Sequence, residues 1–226
     1  MAAKNRKLPE HIRYVCIEGV IGAGKTVLCN LVKEMFNARL VLETAEENPF
    51  LPRFYENRKS WAFQTQLWFL ISRYKQLSES IPQEDLFHSV VLSDYMFAKD
   101  SIFASINLDD DELALYNSVA RALAGQLPAP DFVVYLQAST DVLLKRIERR
   151  ARPYEFNMDR NYVDVLNEAY NHFFFHYTES PLLIIDTNRI DFVGNPEDLD
   201  EVVDQILLAR SGVHFYHPLG KSGGRK

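Results

Sequence analysis

One eight-residue run limits what this chain can fold into more than any other feature. Gly19-Val20-Ile21-Gly22-Ala23-Gly24-Lys25-Thr26 matches the pattern G-x-x-x-x-G-K-[ST]. It follows a short apolar run, Tyr14 to Ile17, that reads as a buried strand. It precedes Thr26 to Phe36, where Val27, Leu31, Val32 and Met35 have helical spacing. A glycine-rich turn between strand and helix lets backbone N–H groups converge on phosphate oxygens, and the helix start adds the positive end of its dipole. Lys25 is expected to reach the β- and γ-phosphates, and Thr26 to offer its hydroxyl to Mg²⁺. Leu219-Gly220-Lys221-Ser222 is a decoy, since Phe215 stands where the first glycine is needed and no strand is read before it.

The rest of the chain supports an α/β reading. Further strands are expected at Leu40–Leu42, Val90–Leu92, Phe132–Leu136 and Leu182–Ile185. Helices are expected at 61–77, from Asp110 to a left-handed cap at Gly125, and at 141–150, 162–177 and 199–208. Five short β-branched strands alternating with helices imply a parallel sheet covered on both faces. The expected organisation is an N-terminal extension (1–13), one domain (14–211) and a loose glycine-rich tail (212–226).

Composition narrows the function. The chain has 226 residues and a net charge of −6, which argues against a surface built to grip nucleic acid or anionic lipid. Any polyanion must be held by a local basic cluster. Cys16 and Cys29 are too few for a disulfide framework or a four-cysteine zinc site. No apolar run approaches the roughly 20 residues that span a bilayer, so a soluble cytoplasmic protein is expected.

A phosphate loop alone does not identify an acceptor, and several other residues bear on it. Glu43 follows the second strand, at the carboxyl end where parallel sheets place ligands, and can take a proton from an attacking hydroxyl; a helix cap or a solvated carboxylate is the alternative. Segment 61–77 is apolar on several faces, so it should be buried by the core and by a second subunit. On it, Gln66 and Arg73 share one side and need polar partners, either a base edge and a carboxylate or neighbouring protein groups. Asp94 ends the third strand, suited to Mg²⁺ or to capping the next segment. Arg146, Arg149, Arg150 and Arg152 cluster at a helix end, where cations are ordinary but where they can also form a lid over a transferring phosphoryl group.

In combination these segments resemble the deoxyribonucleoside kinase family, over about Tyr14 to Phe192. "IEGVIGAGKT" resembles its phosphate loop, and "LETAEENPFLPRFYEN" its second-strand segment, which implies Glu43 as base and Tyr55 at the sugar 3′-hydroxyl. "WAFQTQLWFLISRYKQL" resembles the base-binding helix with Gln66 and Arg73. "RIERRARPYE" resembles the arginine lid (Arg146, Arg150, Arg152), with Glu155 implied at the 3′-hydroxyl. "IIDTNRIDF" resembles the loop that meets the adenine of ATP, around Asp186, Asp191 and Phe192. Many members have Glu-Arg-Ser or Asp-Arg-Ser after the third strand, whereas here Ser93-Asp94-Tyr95 runs on to Lys99. That form resembles the bacterial deoxyadenosine and deoxyguanosine kinases. The resemblance implies ATP and Mg²⁺ as cofactors, a deoxynucleoside substrate, and a homodimer. A nucleoside monophosphate kinase such as a thymidylate kinase, or a nucleotide-binding sensor without activity, are the rivals.

Overall fold

The structure is a computed structural model. It describes residues 6–81, 86–125, 127–155, 158–208 and 211–218. The helix-forming and strand-forming segments assemble as β1 (Tyr14–Gly19), α1 (Lys25–Val32), β2 (Ala38–Val41), α2 (Leu51–Glu56) and α3 (Arg58–Ser80). They continue as β3 (Val90–Ser93), α4 (Lys99–Asn107), α5 (Asp110–Ala124), β4 (Phe132–Gln137), α6 (Thr140–Arg150) and α7 (Arg160–Phe175). The last elements are β5 (Leu182–Asp186), α8 (Pro196–Leu207) and β6 (Val213–Tyr216).

The strands form one sheet in the order β2-β3-β1-β4-β5-β6, and every pairing is parallel. β1 is buried at all its positions and β4 at all but Gln137, as strands covered on both faces must be. Strand order reverses around β1, which lies between β3 and β4. That reversal opens a crevice beyond the carboxyl ends of β1, β2 and β3. The phosphate loop, Glu43 and Asp94 all lie just past those ends, so the topology alone gathers them.

The sheet has six strands, not the five expected. β6 lies in the segment read as loose tail. Its residues alternate exposed and half-buried, with Val213 46% and Phe215 62% exposed, because it is an edge strand with no neighbour beyond it among the described residues. A strand without a buried run leaves little hydrophobic pattern to read. The rest of that tail, 219–226, lies outside the described residues, as do 1–5 of the N-terminal extension.

Two helices were not expected, α2 and α4, both short and close to the site. α3 is longer than its apolar pattern suggests, since the side chain of Asn57 accepts the N–H of Ser60 (3.3 Å) and starts the helix three residues early. Gly125 is not a left-handed cap: its φ is −63°, and the chain turns through Leu127 N–H donating to the carbonyl of Ala124. A left-handed residue instead ends α6. Ala151 has φ 54°, a conformation costly for a residue with a side chain, and it turns the chain sharply between Arg150 and Arg152.

Candidate active site

The phosphate loop has the backbone its glycines were expected to allow. Gly22 and Gly24 have φ of 87° and 100°, and a Cβ on Gly24 would stand 2.9 Å from Cζ of Phe192. Glycine is therefore required twice over at position 24, by conformation and by the ring packed against it. Lys25 Nζ donates to the carbonyls of Gly19 (2.8 Å) and Val20 (3.3 Å), folding back across the loop. Thr26 Oγ1 donates to Asp94 Oδ2, and Asp94 Oδ1 accepts the N–H of Glu43 (2.8 Å). One carboxylate, 2% exposed, thus links the loop, the end of β3 and the end of β2.

Glu43 lies at the centre of a charge cluster. Arg73 donates to its Oε1 through Nε (2.7 Å) and Nη2, and Lys99 Nζ lies 3.2 Å from Oε1 and 3.0 Å from Oε2. Arg73 also donates to Asp100, and both side chains are nearly inaccessible. Burial works to raise the Glu43 carboxyl, but Arg73 and Lys99 prevail and hold it well below the usual carboxylate range. Asp100 goes the other way. Burial raises it to about 6, against the opposing pull of Arg73 and Lys99. Beneath the loop, Glu18 is fully buried and accepts the N–H groups of Gly19 and Met96, both at 2.9 Å. Burial raises its carboxyl, with Lys99 and Lys25 opposing.

Two cavities meet at the loop. The acceptor cavity, about 100 Å³, is lined by Ile21, Lys25, Thr26, Glu43, Tyr55, Gln66, Arg73, Asp94, Lys99, Arg150, Arg152 and Glu155. Its far wall is aromatic, with Phe69, Phe103, Tyr162 and Tyr170. There Gln66 Oε1, Thr65 Oγ1 and Tyr170 OH are buried polar atoms with no hydrogen-bond partner among the described residues. Buried polar atoms without partners are costly, so three of them around one cavity mark it as a place for a polar ligand. The donor cleft, about 490 Å³, is lined by Gly22, Ala23, Gly24, Lys25, Thr26, Arg146, Arg149, Arg150, Arg152, Asp191 and Phe192.

The arginines do not act alike. Arg150 makes a forked pair with Glu155 at 2.6–3.1 Å, and Arg152 pairs with Glu46 at 2.6 Å. Tyr154 stacks on Tyr55 with ring centroids 5.8 Å apart, its hydroxyl 3.4 Å from Glu46 Oε1. Arg146 instead donates to Thr187 Oγ1 (3.0 Å), Thr187 O (2.8 Å), Ile190 O (3.4 Å) and Ala23 O (3.3 Å). It joins the phosphate loop to the 187–190 loop. Asp191 accepts the N–H groups of Val193 and Gly194 and lies on the donor cleft, whereas Asp186 accepts from Asn188 in a turn and is not among that cleft's described lining.

Some of these residues escape a reading of motifs. Asp100 sits on α4, a helix with no clear periodicity, and Glu46 lies among loop carboxylates that usually face solvent. Glu18 did leave a signal: a lone carboxylate in the buried strand "YVCIEG", where a charge must find partners.

A parallel sheet with a phosphate loop at its switch point, a carboxylate held ionised beside it and a polar pocket opposite defines a phosphate-loop kinase for a small acceptor. The family model described as "Deoxynucleoside kinase" matches residues 15–209. The chain is 34% identical over 197 residues to the deoxyguanosine kinase of Bacillus subtilis (strain 168), covering 85% of this chain and 95% of that one. It is 30% identical over 207 residues to the deoxyguanosine kinase of Lactobacillus johnsonii, covering 85% and 90%. Among solved structures, deoxyadenosine kinase from M. mycoides with bound dATP superposes with a TM-score of 0.75 at 23% identity, over 87% of this chain and 99% of that one. The chain belongs to the deoxynucleoside kinase family and is an enzyme of that type.

Proposed function

We propose that this protein transfers the γ-phosphoryl group of ATP to the 5′-hydroxyl of a purine deoxyribonucleoside, deoxyadenosine or deoxyguanosine or both. The observation that carries this reading is Glu43, ionised and held by Arg73 and Lys99 in the acceptor cavity, which shares Lys25 and Thr26 with the donor cleft. The names of the relatives, deoxyguanosine kinases in both cases, support a purine.

The acceptor hydroxyl approaches Glu43, which takes its proton as the oxygen attacks the γ-phosphorus. The bond to the β-phosphate oxygen breaks, and its electron pair leaves with ADP. Backbone N–H groups of residues 19–26 and the Lys25 ammonium hold the donor phosphates, and Phe192 and Asp191 flank the donor cleft. Arg150 and Arg152 stabilise the charge on the transferring group, while Arg146 braces the two loops that frame it. Gln66 reads the base through its unpartnered Oε1, with Arg73 beside it. Tyr55 and Glu155 take the 3′-hydroxyl. Thr26 and Asp94 supply a hydroxyl and a carboxylate, hard oxygen donors of the kind Mg²⁺ prefers, so the pair fits that ion. When bound, Mg²⁺ neutralises charge on the β- and γ-phosphates.

A homodimer is part of the same reading. Ile71 of α3 (51% exposed) and Leu115 of α5 (57%) are apolar side chains that a second copy would cover. The kinase domain is taken to run from residue 14 through β6 to residue 216, and the cytoplasm is taken as its compartment; no helix among the described residues is long and apolar enough to cross a membrane. The test is Glu43→Gln, assayed by ATP-dependent nucleoside phosphorylation and by calorimetric nucleoside binding. Turnover should fall by about 10²–10⁴ while nucleoside affinity persists. An unchanged turnover number would remove Glu43 as the base.

A further inference from the structure

Lys99 has no assigned role in the scheme above, yet it is the second cation on the proposed base. Its side chain is 5% exposed, and its ammonium touches both Glu43 oxygens, at 3.0 and 3.2 Å. Glu43 is already gripped by Nε and Nη2 of Arg73, whose guanidinium is fixed on its other side by Asp100. A buried carboxylate needs one cation to stay ionised, and Arg73 provides it in a rigid geometry. Lys99 is the movable one, a point charge on a four-carbon stem, and among the described residues Glu43 is the one hydrogen-bond partner of its ammonium.

The direction in which it can move is set by what surrounds it. Lys99 and Lys25 both line the acceptor cavity. They are close enough to oppose each other: burial and then the charge of Lys99 lower the Lys25 ammonium to about 8. Two ammonium groups facing one space are tolerated because Glu18, Glu43 and Asp94 surround them, and an anion between them would relieve their repulsion. Tyr95 cannot supply a cation here. It stands where many relatives of the resembled family have arginine, and it is fully buried with its hydroxyl on Gln76 Oε1 at 2.6 Å. Lys99 is the first residue of α4 after that departure.

We propose that Lys99 is a phosphoryl-contacting residue, passing from Glu43 to the oxygens of the transferred phosphoryl group during the reaction. This rests on the kinase reading above. The 5′-oxygen forms its bond to the γ-phosphorus, the bridging oxygen keeps the electron pair of the broken bond on ADP, and the hydroxyl proton goes to Glu43. Glu43 thereby loses its charge and its hold on Lys99, just as the product monophosphate presents a dianion within reach. Arg73 remains to hold Glu43 in place.

A residue that only steadied Glu43 would affect nucleoside and monophosphate binding alike, and this separates the two roles. Lys99→Met keeps the stem and removes the charge; Lys99→Gln is a second neutral variant should methionine disturb folding, and Lys99→Arg keeps the charge. Calorimetry of the full-length protein with deoxyguanosine, deoxyadenosine and their 5′-monophosphates, without ATP, is the readout besides activity. The neutral variants should lose about tenfold or more in monophosphate affinity and stay within about twofold for the nucleosides. Their kcat should fall by about 10²–10³ with little change in nucleoside KM, and Lys99→Arg should recover part of both losses. Equal weakening of nucleoside and monophosphate, or a kcat within about threefold of wild type, would overturn the proposal. Wild-type protein that phosphorylates nucleosides while Lys99→Met matches it would sink only the role of Lys99. Wild-type protein that phosphorylates none would remove the kinase reading and this one with it.

Discussion

The Arg73–Asp100 pair allows a quantitative test of how the acceptor site is held. Arg73 is 5% exposed and Asp100 2%, and the guanidinium serves both Asp100 and Glu43. Replacing Arg73 by methionine leaves the buried Asp100 without its ion-pair partner and Glu43 with Lys99 alone. Removing one partner of a buried pair costs about 3–5 kcal/mol, because the other charge is stranded. For a chain of this length each kcal/mol corresponds to about 2–4 °C in midpoint, so Arg73→Met should melt about 6–20 °C below wild type. Replacing both partners tells a different story. Arg73→Met with Asp100→Leu removes the stranded charge, and apolar replacement of a buried pair is often close to neutral. The double variant should therefore regain at least half of the lost stability, although it would not bind substrate normally. Urea unfolding of the four proteins, followed by tryptophan fluorescence and circular dichroism, gives the cycle directly. A loss below about 1 kcal/mol for Arg73→Met, or strictly additive losses in the double variant, would refute the reasoning.

Two further outcomes follow from other parts of the site. Glu46→Gln breaks the 2.6 Å pair with Arg152, a residue that lines the acceptor pocket; a half-exposed pair is worth at most about 1 kcal/mol, so nucleoside KM should rise up to about fivefold with kcat nearly unchanged, and a collapse of kcat would contradict this. Asp100 is raised to about 6 in the fold from 3.8, so the folded protein binds the extra proton between those values. Its stabilising contribution is complete below pH 3.8 and is lost as pH rises through about 6, a difference of about 3 kcal/mol that Asp100→Asn should remove from the pH–stability curve. Parallel curves for wild type and variant between pH 4 and 7 would contradict it.

How much of this was legible in the sequence depends on whether a residue's role is local. The phosphate loop was, because its strand, glycines and helix are contiguous and its chemistry is backbone chemistry. Glu43 and Asp94 were legible for a related reason: residues just past strand ends in a parallel sheet converge whatever the loops do. Helical spacing put Gln66 and Arg73 on one side of α3, and both line the acceptor cavity. Arg146, Arg150 and Arg152 were read together as one lid, because helix register puts the three at one end without saying that Arg146 is also tied to the backbone of the 187–190 loop. Ala151, whose left-handed backbone divides the lid arginines, has no sequence signature at all. Lys99 and Asp100 show the same limit: they become site residues only when α4 packs on α3, a tertiary event that local pattern does not encode. β6 was missed for the opposite reason, its edge position leaving no buried run to detect.

The central claim is that the protein uses ATP to phosphorylate a neutral purine deoxynucleoside. A panel assay tests it most directly: ATP-dependent ADP release with Mg²⁺, measured for the four natural deoxynucleosides, the four ribonucleosides and the matching deoxynucleoside monophosphates. The account predicts turnover with deoxyadenosine or deoxyguanosine, much weaker turnover with the ribonucleosides, and none with the monophosphates. Turnover confined to a monophosphate such as thymidylate, or ATP binding without acceptor-dependent ADP release, would contradict it.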